Sequence, residues 1–106
     1  MANLLKSVQG RATISGSPIY TVGTGETLTI VGIRAANNDN SANHTFHVDV
    51  NGYLITGIET PLPVGSALEA GAPSKVVVGE GDVITAYGDS DNDVDLTISF
   101  LEQTPA

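Results

Sequence analysis

Four aspartates recur at every second position in "GDSDNDVD", Gly88 to Asp95, immediately ahead of the apolar run "LTISFL". Carboxylates at this spacing are the chemistry of a calcium loop, which holds its ion with oxygens from alternate residues. Asp89, Asp91 and Asp93 match positions one, three and five of an EF-hand loop. The rest does not follow: the sharp-turn glycine at position six is Val94, and the bidentate glutamate at position twelve is Phe100. Asp93 and Asp95 also alternate onto the outward side of the strand that comes next, where they cannot curl around an ion with the others. Two readings remain. One is a lower-affinity calcium site of Asp89, Asp91 and Asn92; the other is a hydrated turn whose Gly, Asp, Ser and Asn supply left-handed positions and side-chain-to-backbone bonds. The turn accounts for every residue, so no metal and no cofactor are expected.

The other residue sets that suggest chemistry fail on context. His44 and His47 are three apart, a ligand spacing on a helix, but on a strand they face opposite ways. Ser41, His44 and Asp39 can be written as a triad, without the nucleophile elbow or oxyanion framework that would make one work. "GTGET" (Gly23 to Thr27) and "GEGD" (Gly79 to Asp82) are glycine-rich but lack a P-loop's lysine and carry an acid where phosphate would sit. They are expected to be hairpin turns, and Glu80 and Asp82 solvated turn residues. "NHT" at Asn43 fits a glycosylation sequon, with nothing to indicate a secretory route. No enzyme is expected.

The elements that position these residues are strands. No run places apolar residues at i, i+3, i+4 and i+7 over three turns, whereas short Val, Ile, Thr, Tyr and Phe segments alternate with Gly, Asn, Asp and Pro clusters every roughly 8–12 residues. The spacing predicts strands at Ala12–Ser15, Ile19–Val22, Thr27–Ala36, His44–Val50, Tyr53–Ile58, Ser66–Glu69, Lys75–Val78, Val83–Tyr87 and Val94–Leu101. The strongest local signal is "HVDVNGYLI". Asn51 and Gly52 both accept positive φ and close a two-residue hairpin, which sets Val50 opposite Tyr53 and Val48 opposite Ile55. Phe46, Val48, Val50, Tyr53 and Ile55 then share one face; His47, Asp49, Leu54, Thr56 and Ile58 share the other. In the last strand Val94, Leu96, Ile98 and Phe100 point inward. "TLTIVGIRAA" is apolar on both faces, which a bulge near Gly32 would reconcile by switching phase. Apolar residues left on outer faces suit either a slightly uneven sandwich or subunit contact.

The fold class is therefore all-β, a single-domain antiparallel β-sandwich, jelly-roll or Ig-like. Residues 1–17 form an N-terminal arm or first strand and residues 18–106 the sandwich body. The chain of 106 residues buries roughly two-thirds of its unfolded surface, enough for one core. It has no cysteine, so no disulfide framework and no thiol chemistry. Twelve acidic against four basic side chains give a net charge of −8, which repels phosphate backbones and anionic lipid; nucleic-acid and membrane partners are not expected. "MANLLKSVQGR" has only two adjacent leucines, short of a signal peptide or a membrane span, so a soluble protein used without secretion is expected.

The order of segments carries a resemblance. "IYTVGTGETLTIVGIRAANND", "YLITGIETPLPVGSALE" and "KVVVGEGDVITAYGDSDNDVDLTISFLE", spanning Pro18 to Glu102, resemble the small all-β virion structural proteins of tailed bacteriophages. In those a Tyr-Thr-Val strand meets a glycine turn usually written Pro-Ala-Gly, a strand ends in Ala-Asn, a Pro-x-Gly-Ser-x-Leu-Glu segment follows, and the chain closes on Ser-Tyr/Phe-Leu-Glu. Gly23 and Thr24 stand here in place of the usual Pro-Ala. The resemblance implies a non-enzymatic capsid decoration or cement protein on the virion surface, assembled in the host cytoplasm, forming homo-oligomers, commonly trimers, and binding the major capsid protein. On that footing Leu54 and Ile58 are the expected subunit contacts, and Leu4, Leu5, Lys6 and Arg11 the expected capsid contacts. A tail, neck or fibre-associated protein and a carbohydrate-binding module are the alternatives. The last requires exposed aromatic platforms from a chain without tryptophan, in which Tyr20, Tyr53 and Tyr87 are the only tyrosines.

Overall fold

The structure is a computed structural model that describes residues 2–57, 59–69 and 76–104. Ten strands make up the described chain: β1 (Ala2–Arg11), β2 (Ser17–Thr21), β3 (Thr27–Asn37), β4 (His44–Val50), β5 (Tyr53–Leu54), β6 (Thr60–Leu62), β7 (Ala67–Glu69), β8 (Val76–Gly79), β9 (Val83–Gly88) and β10 (Val94–Thr104). Sheet A runs β1-β10-β3, with β7 and β8 both on the far edge of β3. Sheet B runs β2-β9-β4, with β5 and β6 both on the far edge of β4.

Among the described residues, six of the eight strand pairings nest around the Asn51–Gly52 turn. Ala2 lies opposite Thr104, Arg11 opposite Asp95, Thr21 opposite Val83, Leu28 opposite Val78, Arg34 opposite Glu69 and Val50 opposite Tyr53. The chain is one long antiparallel hairpin, rolled until β10 also meets β3 and β9 also meets β4. That is the jelly roll, with its two outermost strand positions each broken into two short pieces, and it decides between the two expected topologies. Asn51 and Gly52 take φ of 53° and 88°, as the hairpin loop requires.

Alternation fills the space between the sheets. Val94, Leu96, Ile98 and Phe100 face Phe46, Val48, Ile84 and Ala86 across it, all buried. A fully buried aromatic such as Phe46 or Phe100 contributes about 2–3 kcal/mol, so this doubly lined core outweighs any single surface ion pair. The phase switch expected near Gly32 is present. Ser99 pairs with Gly32 but Phe100 pairs with Ile30, so Val31 is the extra residue of a bulge. Leu28 and Ile30 before it, and Ile33 and Ala35 after it, thereby all reach the core.

Three expectations are corrected. Ala12–Ser15 is a connection, not a strand: it makes a single bridge at Thr13 to Tyr87, and Gly16 N–H closes a turn on the Thr13 carbonyl. The ten residues before it form the first strand, at the edge of sheet A, because β10 offers a continuous partner from Asp95 to Thr104. The arm of the hairpin after Gly52 pairs over Tyr53–Leu54 only, and Tyr53, in the expected register, overhangs the sheet edge exposed. "GTGET", "GEGD" and the tip of "GDSDNDVD" are not hairpins. Each links a strand of one sheet to a strand of the other, since turn residues specify a reversal and not the sheet to which the chain returns. Lys75 and Ile58, placed in strands above, lie outside the described residues.

Candidate functional site

The residues with chemical potential converge at the end of the sandwich where β3 leads into β4 and β9 into β10. Asn37, the last residue of β3, is buried and satisfied: its amide donates to the carbonyls of Ala42 and Leu62 (2.9 and 3.0 Å) and its oxygen accepts from the Asp39 N–H (2.8 Å). This anchors the 38–43 loop and aims Asp39 at His44, the first residue of β4.

His44 is the centre of the cluster, its side chain only 8% exposed. Nε2 lies 2.9 Å from Asp39 Oδ2, and Nδ1 lies 2.9 Å from Asp89 Oδ1 and 3.1 Å from Ser90 Oγ. Asp93 Oδ2 stands 3.6 Å from Nε2 and accepts from Ser90 Oγ at 2.6 Å. A carboxylate only accepts, so this geometry is fully satisfied when the ring is protonated and both nitrogens donate. Its pKa is raised above the ordinary histidine value, first by the Asp39 hydrogen bond and then, against the cost of burial, by Asp89 and Asp93. Asp39 is correspondingly held down at about 2, by His44 first and by the Ser41 hydroxyl and N–H second.

This arrangement ties two loops together and leaves little free to react. Ser41 Oγ donates to Asp39 Oδ1 at 2.8 Å, so the acid sits between serine and histidine, and the serine does not reach the base it would need as a nucleophile. Among the described residues Asp39, His44 and Asp93 place ligand atoms within 4.8 Å of one another. An imidazolium has no lone pair for a metal, and binding one there means expelling a proton and the Asp39 bond together.

The calcium candidates are directed to three different segments. Asp89 accepts from His44, Asp91 Oδ1 accepts from Ile14 N–H at 2.9 Å, and Asn92, at φ 67°, donates its N–H to the Ala12 carbonyl and accepts at its own carbonyl from Asn38 Nδ2. Asp95 accepts from Arg11 Nε (2.8 Å) and Asn38 Nδ2 (2.9 Å), and its pKa is lowered, by Arg11 first. Asn43, the sequon residue, accepts from Val64 N–H. Every connection at this end is therefore bonded to another.

No protein-family model and no curated protein matches the chain. Among solved structures, it is similar to a chain of the Bacillus endospore appendages, described as a novel family of disulfide-linked pili. The identity is 12% and the TM-score 0.49, over 99% of this chain and 88% of that one.

The remaining expected site residues are dispersed. His47 points away from His44 and stacks on Tyr87, centroids 4.7 Å apart and planes at 14°, on the outer face of sheet B. Leu54 is exposed beside the hairpin turn, and Ile58 lies outside the described residues. Leu4 and Leu5 are exposed on β1, whereas the charges of that strand are committed within the chain: Lys6 to Glu26 (3.2 Å) and Glu102 (3.9 Å), Arg11 to Asp95. Sequence reasoning missed the His44 tie. Its Asp39 half lay within the Ser41, His44 and Asp39 set; the Asp89 half left as its trace a second Asn/Asp-rich loop some forty-five residues away, which meets His44 only once the roll is closed.

Proposed function

We propose that the chain is a non-enzymatic structural protein of a phage particle, a capsid decoration protein that binds the outside of the head in many copies and stabilises it. The observation that carries the reading is the His44 cluster. Among the described residues, the group of side chains with the composition of a reactive site spends both imidazole nitrogens and its carboxylates on bracing two loops. A loop end braced in this way keeps its shape under load, which suits a building block. The segment order from Pro18 to Glu102 that resembles virion structural proteins supports the same reading. Cementing works by mass action: a protein that binds the assembled shell and not its dissociated subunits shifts the equilibrium toward the shell.

The test is the copy number per purified particle, by quantitative mass spectrometry against the major capsid protein, together with readdition of the protein to heads that lack it. Hundreds of copies and a higher temperature of shell disruption are expected. A few tens or fewer would move the protein to the tail, neck or fibres. Absence from particles, with affinity for sugars, would overturn the reading in favour of a carbohydrate-binding module.

A further inference from the structure

The charge of this protein is unevenly placed. The strands of sheet A hold three bases, Lys6, Arg11 and Arg34, and three acids, Glu69, Asp95 and Glu102, a net charge of zero; the other nine acids and Lys75 carry the entire −8. The sheet's charges are also paired one with another: Arg11 with Asp95 at 2.8 Å, Arg34 with Glu69 at 3.6 Å, and Lys6 with Glu102 at 3.9 Å. Sheet A is thus the neutral side of an acidic molecule.

Its outer face is apolar at one end. Leu5, Leu101, Thr29 and Val77 lie directly opposite one another across β1, β10, β3 and β8, a row of four side chains on the face turned away from Phe100, Leu28 and Val78. Leu5 is 80% exposed and Val77 64%. The bulge pushes Val31 onto the surface beside them, 41% exposed, and the next row is small and uncharged: Ser7, Ser99 and Gly32. A side chain added at Gly32 would meet nothing within 4 Å, so the surface there is low and open. No described strand pairs with the second edge of β1, which has no proline or bulge, and its one lysine bonds to Glu26 and Glu102. Natural edge strands ordinarily carry such protection when they must stay unpaired.

We propose that this face of sheet A is the contact between two copies of the chain, with the apolar row of one packed on the apolar row of the other about a twofold axis. Electrostatics selects the occupant. A basic partner is drawn to the acidic loops at the two ends, and an acidic partner is repelled by them. A neutral face asks for a neutral partner, and the same face of a second copy meets that need on both sides at once, as an isologous contact does. Two chains of charge −8 approach at least cost where each has cancelled its own charges. In this assignment Leu5, expected from the sequence to face a capsid protein, faces another copy, and Leu54 stays outside the contact.

The inference rests on the reading of the chain as a multi-copy building block, and native mass spectrometry with light scattering of the isolated full chain separates the two. Dimers, or even-numbered assemblies of dimers, are expected for the wild type. Val77→Lys places a charge in the contact at an exposed position that accommodates it without refolding, and it is expected to weaken self-association about tenfold or more. Leu5→Lys does the same from the neighbouring strand, while Leu54→Lys leaves assembly unchanged. A monomeric wild type, a pure trimer, or loss of assembly in Leu54→Lys but in neither of the other two would overturn the interface. A monomeric wild type that still coats particles overturns the interface alone; a dimer broken by Val77→Lys that binds no particle supports the interface and counts against the particle reading.

Discussion

The two ends of the sandwich use one device with two different cations. At the β3–β4 and β9–β10 end, Asp39, Asp89 and Asp93 close on His44. At the opposite end, Glu26 accepts from Tyr20 OH (2.8 Å), Gly23 N–H (2.6 Å) and Lys6 Nζ (3.2 Å), and Asp82 accepts from Gly79 N–H and Asn51 Nδ2. Glu26 is held down at about 2, by the Tyr20 hydroxyl first, then Gly23 and Lys6, and Lys6 is raised above its ordinary value by Glu26. Lysine stays charged until strongly alkaline pH, whereas histidine loses its proton within reach of neutrality. The histidine end therefore has a narrower range of pH in which its tie is intact. When that tie is lost, three carboxylates are left facing one another.

The largest break in the comparison is His44→Ala. It removes two charge-assisted hydrogen bonds and leaves Asp39, Asp89 and Asp93 without their cation, for a loss of about 2–3 kcal/mol and a fall in Tm on the order of 10 °C. The damage is expected to be local: amide exchange should quicken at Asn38, Asp89 and Asn92, whose N–H groups bond across the histidine end, and not at Val22 or Gly81, which bond across the other. Glu26→Ala should show the opposite distribution. An unchanged Tm for His44→Ala would mean that the loops hold without the histidine.

Changing pH sharpens the same contrast with a smaller effect. The folded pKa of His44 lies above the unfolded value of about 6.5, so its stabilisation is complete below that value and is lost as pH rises through the folded pKa. Asp39 works in the other direction: its contribution is present above about 4 and disappears as pH falls toward its folded value of about 2. As pH rises from 6 through the folded pKa of His44, the protection factor of the Asn38 amide should drop while that of Gly81 holds for as long as Lys6 stays charged. Unchanged protection of Asn38 across the pH range in which the His44 imidazole NMR signals titrate would refute the coupling. The smallest effect is expected from calcium. Asp89, Asp91 and Asn92 are bonded to three separate segments, so millimolar calcium should leave Tm where it was; a saturable rise would instead reveal a site.

Legibility in the sequence followed the range of the interaction. Asn51-Gly52 announced its hairpin, and the "TLTIVGIRAA" pattern announced a phase switch that the bulge at Val31 supplies. Both depend on residues within a few positions of each other. The first strand was harder: "NLLKSVQGR" has little strand character of its own and is extended because β10 lies alongside it. The candidate site was read correctly only in part. The acids of "GDSDNDVD" were visible, but their partners His44, Ile14 and Arg11 are brought from distant segments.

What the sequence determined by itself is the class of structure: strands of alternating polarity, a central reversal at Asn51-Gly52, one core without disulfides, and an acidic surface. These follow from short-range sterics, from the two-residue period of the pleat and from counting charges. Only the tertiary structure decided that the hairpin rolls into two sheets, that its turns are crossovers, that Asp39 and Asp89 meet on one imidazole, and that sheet A is electrically neutral. Each of these depends on which strands become neighbours, a choice made by burying the inner faces of both sheets together and written in no single segment.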